Sequence, residues 1–475
     1  MLYLMIGLPL LAGLTILLLK PRFIKLIAMG APSVTLLISL SLWQNNTFSN
    51  TIHQVTPNVS FLLAQDNISS LFLVLVQLVF LPIVMFALEY HEHDKKAHRI
   101  LAFTILCQAA LNGLCLSANL LTTYLFFEMI TLTSFPMILH ASTSASRRAA
   151  FVYLGYSITG AACIFSGLLL GSPSFLQAYQ PGGFYRTITT TQSYAWLLIV
   201  IGFSCKAGMF PLQSWLPIAH PEAPSPASAL LSGINTKAGI LGILRVTYFV
   251  VGAQNLINTP VRNVMLTLSL ITVFLGSMLA FKEKLLKRRL AFSSISQLSY
   301  VIFGMMLMTS MAFEGAILQV WFHAAAKITL FLVSGAILHY TGNTKTTQLL
   351  GIGKQLPWVM GCFSIAALSL IGIPPLGGFV AKWFLAEGAL LPQTGFFGWL
   401  GVIVLMISAL LTAGYLLPIL SEGFFPGKDY VTPQGRKPGW KMHVSLTLLS
   451  IFLLVGGLFP NFLLQPIQSL SALLF

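Results

Sequence analysis

Apolar runs of about 20 residues recur along the whole chain, separated by short polar stretches. A helix of that length crosses roughly 30 Å of hydrocarbon, so each run predicts one transmembrane helix. About 14 such helices are predicted. Their first residues lie near positions 2, 23, 68, 100, 120, 149, 193, 222, 262, 291, 312, 357, 398 and 441. The longest gaps, 43–66 and 171–192, are predicted to be loops, which leaves no soluble domain between the helices.

The composition agrees with this pattern. Of the 475 residues, 56% are hydrophobic and only 8% are charged, whereas soluble domains carry about 25% charged residues. The chain is therefore predicted to be an all-α integral membrane protein, with a single polytopic membrane domain over residues 1–475. A soluble enzyme, such as a hydrolase or a nuclease, is excluded.

The formal net charge of +15 raises the question of a nucleic-acid partner, and the distribution of the charges argues against one. Of the 26 Lys and Arg residues, 19 lie in every second loop. These loops are 20–25, 95–99, 147–148, 282–289, 345–354 and 428–441. Because basic loops of multi-pass proteins face the cytoplasm, the charges predict a plasma (inner) membrane protein with both termini on the non-cytoplasmic side.

The chain carries no signal for cleavage or for a cofactor. The first apolar run lacks a positive region before it and is followed by Lys20, Arg22 and Lys25, so it is predicted to be a retained helix rather than a signal peptide. The five cysteines lie in apolar runs without CxxC spacing, and neither GxGxxG nor a Walker loop occurs. No cofactor, no metal site and no catalytic chemistry within this chain are predicted.

Four lysines lie inside predicted helices: Lys206, Lys237, Lys327 and Lys382. Glu128 is the clearest acidic counterpart. Each such charge costs about 2.5–3.5 kcal/mol at a helix centre. Some of them could reach an interface or form structural ion pairs, but the whole set indicates passage of protons or other ions. Desolvation favours a neutral lysine and a nearby carboxylate favours a charged one, so such a pair can load and release a proton.

A histidine accompanies one of these lysines. His323 and Lys327 are four residues apart and therefore share one face of a helix. Because histidine titrates near neutral pH, His323 is predicted to take part in proton transfer with Lys327.

Prolines predict two broken helices. Pro211 and Pro217 interrupt the run after Lys206, and Pro374 and Pro375 interrupt the run before Lys382. Broken transmembrane helices mark ion sites in transporters.

The two breaks share the spacing GxxPL, in GMFPL (208–212) and GIPPL (372–376). If they lie in the seventh and twelfth helices, their odd offset predicts two inverted five-helix repeats, each with a broken helix. The predicted division is about 1–99 for N-terminal helices, 100–251 and 262–420 for the repeats, and 441–475 for a C-terminal helix.

The segment KAGMFPLQSWLPIAHPEAPSPASALLSGINTKAGILGILR (206–245) resembles the signature of antiporter-like membrane subunits. This family occurs in respiratory complex I, in group 4 membrane-bound hydrogenases and in Mrp-type cation/proton antiporters. RRLAFSSISQLSYVIFG (288–304) and HAAAKITLFLVSG (323–335) resemble two further motifs of the family. The resemblance covers roughly residues 60–420.

The resemblance implies a fourteen-helix fold and a proton pathway whose residues coincide with those found above. A glutamate of the fifth helix that pairs with a lysine of the seventh matches Glu128 and Lys206. The lysine of the eighth helix matches Lys237, and the lysine of the twelfth matches Lys382. The histidine and lysine of the eleventh match His323 and Lys327.

The chain departs from the family pattern at three positions. Gln213 stands where many members have a histidine, Gln319 replaces a second histidine, and an Asp that precedes the RRLAFSS motif is replaced near Leu285. These changes affect the hydration path rather than the lysines.

The leading hypothesis is a proton-translocating subunit of a complex I-like or hydrogenase-type ion pump. Its implied partners are other membrane subunits and, in such a pump, iron–sulfur or nickel–iron redox subunits. Alternatives are a subunit of an Mrp-type Na⁺/H⁺ antiporter without a redox partner, and a membrane scaffold that does not pump. The parent complex and the choice of H⁺ or Na⁺ are left open.

Overall fold

A computed structural model describes residues 1–18, 21–43, 48–56, 59–171, 173–342, 345–427 and 435–475. Lys20 and the first part of the predicted basic loop 428–441 lie outside these described residues.

The first half of the described chain is helical apart from one β-hairpin. Its helices are α1 (Leu2–Leu18), α2 (Pro21–Trp43), α3 (Asn67–Tyr90), α4 (Ala97–Leu116), α5 (Leu120–Ile138), α6 (Ser144–Leu170), α7 (Thr190–Ala207), α8 (Leu216–Glu222), α9 (Ser225–Leu230) and α10 (Thr236–Arg245). The hairpin strands are β1 (Phe48–Thr56) and β2 (Val59–Gln65). Two π-helical segments, Leu231–Asn235 and Val246–Val251, flank α10.

The second half of the described chain is helical. Its helices are α11 (Ala253–Leu256), α12 (Pro260–Lys282), α13 (Leu286–Leu307), α14 (Ser310–Thr341), α15 (Ile352–Gln355), α16 (Pro357–Ile371), α17 (Gly377–Ala389), α18 (Gly395–Phe424), α19 (Trp440–Leu458) and α20 (Asn461–Leu474). Short 3₁₀ turns occur at Leu139–Ala141, Pro173–Leu176, Thr346–Gln348 and Pro392–Thr394.

The predicted all-α membrane class is confirmed, because the chain is mostly helical and, within its described residues, eleven helices are long and apolar enough to cross a membrane. Each predicted start lies within about five residues of an observed helix start. The total of 14 crossings and the inverted repeats stay predictions.

Two details of the sequence-based interpretation were wrong. The gap 43–66 contains the antiparallel hairpin β1–β2, whose register runs from Phe48 opposite Gln65 to Thr56 opposite Val59. Its sequence is rich in β-branched residues, which favour strands. The predicted C-terminal helix consists of two helices, α19 and α20, which are separated at Phe459 and Pro460.

Burial divides the helices into an inner and an outer group. In the most apolar 18-residue stretches of segment 225–251 and of α14, all residues are buried. In the corresponding stretches of α3 and α13, 89% and 94% of the residues are buried. In the corresponding stretches of α2 and α18, only 33% of the residues are buried. Large apolar side chains of α18, such as Met406 and Leu410, are exposed. The outer helices thus offer an apolar surface to lipid, and the inner helices can carry polar groups.

The two predicted helix breaks are present and share their local conformation. The first separates α7 from α8, and the second separates α16 from α17. In each, a glycine with positive φ ends the preceding helix (Gly208 at 81°, Gly372 at 94°). In each, a cis peptide bond precedes the last proline of the motif, at Phe210–Pro211 and Pro374–Pro375.

The predicted basic loops gather at one end of the bundle. The α12–α13 junction pairs with the segment after α14 through a β-bridge between Leu285 and Lys345. Arg436 forms an ion pair of 2.8 Å with Glu92, next to the basic segment 95–99. Lys287 departs from this set: although it belongs to the predicted loop 282–289, its ammonium group is buried and donates to the carbonyl of Ala223 at 2.8 Å.

A buried ion pair joins the hairpin to the inner helices. Asp66, which caps the start of α3, accepts hydrogen bonds from both terminal nitrogens of Arg245 at the end of α10, with Nη2–Oδ1 at 3.0 Å. Arg245 also donates to Ser69 and lies against the rings of Tyr179 and Phe249. The Arg245 side chain is 2% exposed and that of Asp66 is 29% exposed, so Asp66 is the charge partner of a guanidinium that is withdrawn from water.

We therefore expect Asp66→Asn to destabilise the fold strongly, because it leaves the Arg245 guanidinium buried without a counter-charge. Loss of one partner of a buried pair costs about 3–5 kcal/mol. Thermal unfolding of the purified chain in detergent measures the effect. Glu92→Gln, which breaks the exposed pair with Arg436, is the matched control and should change the melting temperature little. Equal melting temperatures for the two variants would contradict this role of Arg245.

Candidate functional site

Lys206 lies in the last turn of α7, just before the first break. Its side chain is 3% exposed, and its Nζ donates to the carbonyl of Phe127 at 3.0 Å and to the hydroxyl of Thr131 at 2.8 Å. Nζ also lies 4.1 Å from the centre of the Phe127 ring. The lysine is therefore held by α5 through neutral acceptors.

Glu128 lies next to Phe127 on α5 and is half-buried. Within the described residues, no ion pair of 4.0 Å or less joins its carboxylate to Lys206, and its Oε1 is buried without a hydrogen-bond partner. The two residues implied by the resemblance thus share one region of α5 and α7 but do not form a closed salt bridge. A lysine that no carboxylate fixes can change its protonation state more easily.

Lys237 and His323 are in direct contact, although 86 residues separate them. Lys237 Nζ lies 2.8 Å from His323 Nδ1 and donates to the carbonyl of Ser232 at 2.7 Å. Ser232 belongs to the π-helical segment Leu231–Asn235, directly before α10. Such π-segments are frequent at functional sites. The structure thus joins two predicted residues into one nitrogen–nitrogen contact across which a proton can pass.

Lys327 lies one turn after His323 on α14, as their spacing predicts. Its Nζ donates to the carbonyl of Leu290 on α13 at 3.0 Å. Both side chains are buried, His323 at 1% and Lys327 at 0% exposure. The predicted histidine–lysine face is therefore turned into the inner helices.

Lys382 lies on α17, after the second break, and is half-buried. Its Nζ donates to the carbonyls of Leu370 and Ile371, at 2.5 and 2.9 Å. These carbonyls end α16, and the break leaves them without partners in their own helix. The ammonium group also lies 5.3 Å from the centre of the Tyr300 ring.

A set of neutral polar side chains lies among these residues, and Gln319 is the one of them that sequence reasoning singled out. Asn235 donates to Ser134 at 2.7 Å, and the hydroxyls of Ser232 and Ser294 are 2.7 Å apart. Gln319, flagged as a departure from the family pattern, donates to Gln297 at 2.8 Å. Isolated polar residues in apolar runs give little signal in sequence, since most hydroxyls of this kind bond to their own helix.

His220 is a further residue that sequence reasoning missed. It lies on α8, is fully buried between Trp215 and Phe331, and neither of its ring nitrogens has a hydrogen-bond partner among the described residues. A cavity of about 610 Å³ lies against α8, the helix that carries His220. Its lining includes Pro217, Glu222, Arg148 and Arg288.

All four sequence-predicted lysines therefore find carbonyl, hydroxyl or imidazole partners, and within the described ranges none forms an ion pair. Such partners hold an amine in place whether it is charged or neutral, because a carbonyl accepts hydrogen bonds from both forms. The arrangement can hold protons at several separate points along the inner helices.

The second break should be sensitive to a side chain at Gly372. A Cβ at Gly372 would lie 2.9 Å from Lys382 Cδ. The φ of Gly372, 94°, would also strain any residue with a side chain. We expect Gly372→Ala to destabilise the chain by about 1–2 kcal/mol and to displace Lys382. The control is Gly361→Ala on α16, where a Cβ meets nothing within 4 Å. Thermal unfolding in detergent compares the two, and an equally stable Gly372→Ala would show that the break tolerates a side chain.

Comparison with known proteins gives consistent matches. The family described as NADH:quinone oxidoreductase/Mrp antiporter, TM, matches residues 117–408. Subunit N of the NADH-quinone oxidoreductase of Desulforudis audaxviator is 31% identical over 71% of this chain and 67% of its own length. A component of a Na⁺/H⁺ antiporter of Alkalihalophilus pseudofirmus is 26% identical over 90% of this chain and 86% of its own length.

A solved structure supports the fold. One chain of the Mrp complex from Dietzia sp. DQ12-45-1b matches all of this chain and 97% of its own length, with a TM-score of 0.87 and 23% identity.

Proposed function

We propose, on the premise that the chain belongs to the transmembrane family of NADH:quinone oxidoreductases and Mrp antiporters, that it translocates protons as the antiporter-like subunit of a multi-subunit membrane complex. The observation that carries the proposal is the contact of 2.8 Å between Lys237 Nζ and His323 Nδ1 in a fully buried region. Two titratable nitrogens so close together in an interior without a carboxylate partner give a fold no evident stability, but they suit proton transfer.

The proposed path runs from α5 and α7 through the inner helices to α17. Glu128 and Lys206 form its first station, Lys237 with His323 the second, and Lys327 the third. Lys382 forms the last, on the carbonyls of the second break. Gln319 and the unpartnered His323 Nε2 mark polar points beside the second station, where water would extend the path.

The cavity beside α8 suits an entrance from one aqueous side. It is bordered by Glu222 and two arginines at the end of the bundle where the basic loops gather. We place this end in the cytoplasm on the positive-inside rule, which puts both termini on the non-cytoplasmic side of a plasma (inner) membrane. His220 lies between this cavity and the inner helices.

The driving force must come from outside the chain. Moving one charge against 100 mV takes about 2.3 kcal/mol, and the sequence has no cofactor motif that could supply it. We propose that other membrane subunits, joined in a complex I-like or hydrogenase-type pump by iron–sulfur or nickel–iron subunits, supply it through conformational change.

A subunit of a gradient-driven Na⁺/H⁺ antiporter is the second candidate. Similarity to a component of such an antiporter over 90% of this chain favours it. Sodium prefers oxygen ligands, and a pathway with one glutamate among four lysines suits protons better. A membrane scaffold that does not pump is the third candidate, and the buried lysines argue against it because they cost stability.

Lys206→Ala in the assembled complex should abolish coupled proton transfer and leave assembly intact, because Lys206 contacts only neutral acceptors. Proton uptake by proteoliposomes, with the complex driven by its own energy source, measures this. Lys382→Ala should have the same effect, whereas Lys284→Ala, at an exposed loop lysine, should not. Unchanged transport in both Lys206→Ala and Lys382→Ala would instead establish the scaffold.

Co-purification distinguishes the two pumping candidates. We expect the tagged chain, extracted in mild detergent, to bring down iron–sulfur or nickel–iron subunits that mass spectrometry identifies. Recovery of small membrane subunits alone, together with sodium-dependent proton exchange by that complex, would assign the chain to a gradient-driven antiporter.

A further inference from the structure

Three side chains of types that can ligate metal ions meet at the basic end of the bundle, away from the four lysines of the proposed path. His91 directly follows α3, Asp94 lies in the turn before α4, and His140 lies in the 3₁₀ turn after α5. His91 Nδ1 is 3.0 Å and His140 Nε2 is 2.6 Å from the same oxygen of Asp94, Oδ2. All three ligand atoms lie within 4.8 Å of one another.

The local backbone fixes this arrangement. The amide of Asp94 donates to the carbonyl of His91 at 3.0 Å, which closes a tight turn after α3. The amide of Lys96 donates to Asp94 Oδ1 at 2.8 Å, so this oxygen is occupied and Oδ2 is turned to both imidazoles. The rings of His91 and His140 pack edge to face, with centroids 5.3 Å apart. Neither histidine can therefore turn away freely.

We propose that His91, Asp94 and His140 bind a divalent transition-metal ion of the zinc class. Two imidazole nitrogens and one carboxylate oxygen are a common ligand set of zinc sites with an open fourth position. Ligands at 2.0–2.1 Å in a tetrahedron are roughly 3.3 Å apart, so the two nitrogen–oxygen separations, 3.0 and 2.6 Å, need to widen by less than 1 Å. Lys96 supplies the backbone hydrogen bond that orients the carboxylate.

The exposure of the three side chains indicates the side from which an ion would reach the site. His91 is 5% exposed and His140 12%, whereas Asp94 is 28% exposed. A fourth ligand such as water would reach the ion from the side of Asp94, the most exposed of the three side chains. The site is therefore open to ions at this end of the bundle.

Occupancy would brace three helices at once. The ion connects the end of α3, the start of α4 and the end of α5, and α5 also carries Glu128. The neighbouring Glu89, at the end of α3, accepts hydrogen bonds from the backbone of Gly439, Lys441 and Met442 at the start of α19. The site thus adjoins the anchor of the C-terminal helices.

The test measures metal binding by the full-length chain in detergent. The chain carries an affinity tag without histidine, is stripped with chelator, and is titrated with Co²⁺ and with Zn²⁺. We expect one Co²⁺ per chain, with the visible absorption of tetrahedral cobalt, and its displacement by Zn²⁺. His91→Gln, Asp94→Asn and His140→Gln should each weaken binding at least about tenfold.

His93→Gln is the matched control. His93 is an exposed histidine of the same turn that contacts Arg436 rather than Asp94, and its loss should leave binding unchanged. Zn²⁺ should raise the melting temperature of the wild type and of His93→Gln but not of His140→Gln, because only a folded site binds the ion. This comparison holds even if a variant melts lower without metal.

Two results would overturn the proposal. One is a wild-type chain that binds no Co²⁺, and the other is an equal response to Zn²⁺ in the wild type and His140→Gln. Either result would mean that Asp94 joins the two histidines only through hydrogen bonds.

Discussion

A lysine side chain inside a lipid bilayer must find all of its hydrogen bonds within the protein, and this constraint governs the arrangement of the inner helices. For two of the four lysines the acceptors come from irregular backbone. Lys382 uses the carbonyls of Leu370 and Ile371 at the second break, and Lys237 uses the carbonyl of Ser232 in a π-segment. A regular helix would consume these carbonyls in its own hydrogen bonds. The second helix break and a π-segment thus supply acceptors to Lys382 and Lys237, whereas Lys206 and Lys327 share carbonyls of the regular helices α5 and α13.

The outer helices make this interior possible. They expose apolar side chains to lipid and enclose α13, α14 and the segment 225–251. The most apolar stretches of these three elements are almost wholly buried. The ion pair between Asp66 and Arg245 closes one end of this interior, next to the hairpin. The basic loops and the turn that contains His91 and Asp94 lie at the other end. The outer helices thus form a largely apolar shell around an interior that contains the buried lysines and His323.

Sequence reasoning identified residues that are energetically costly in a membrane and residues that restrict the backbone. Lys206 and Lys382 stood out because charge is rare in apolar runs, and Pro211 and Pro375 because proline interrupts helices. The GxxPL motifs indicated equivalent breaks, and both have a glycine with positive φ. The same reasoning placed Lys287 in a loop because its neighbours are basic, although it is buried on α13.

Features that depend on distant contacts escaped the sequence. Asp66 and Arg245 are 179 residues apart, and Asp94 and His140 are 46 apart, so no spacing rule joins them. The π-segments have no marked sequence signal, and the hairpin lies in a stretch short enough to be taken for a loop. The prediction of no metal site rested on cysteine spacing and motifs, which do not test a set of ligands from two turns.

The close contact between Lys237 and His323 limits how much charge the middle of the chain can hold. Two positive charges 2.8 Å apart would repel each other by about 6 kcal/mol at an effective dielectric constant of 20. The two nitrogens can therefore hold one excess proton between them but not a second. On the proposed path, a proton arriving from the side of Lys206 would be accepted only after the previous one had left toward Lys382. Mutual exclusion at this pair would make transfer sequential and would oppose uncoupled leakage of several charges at once.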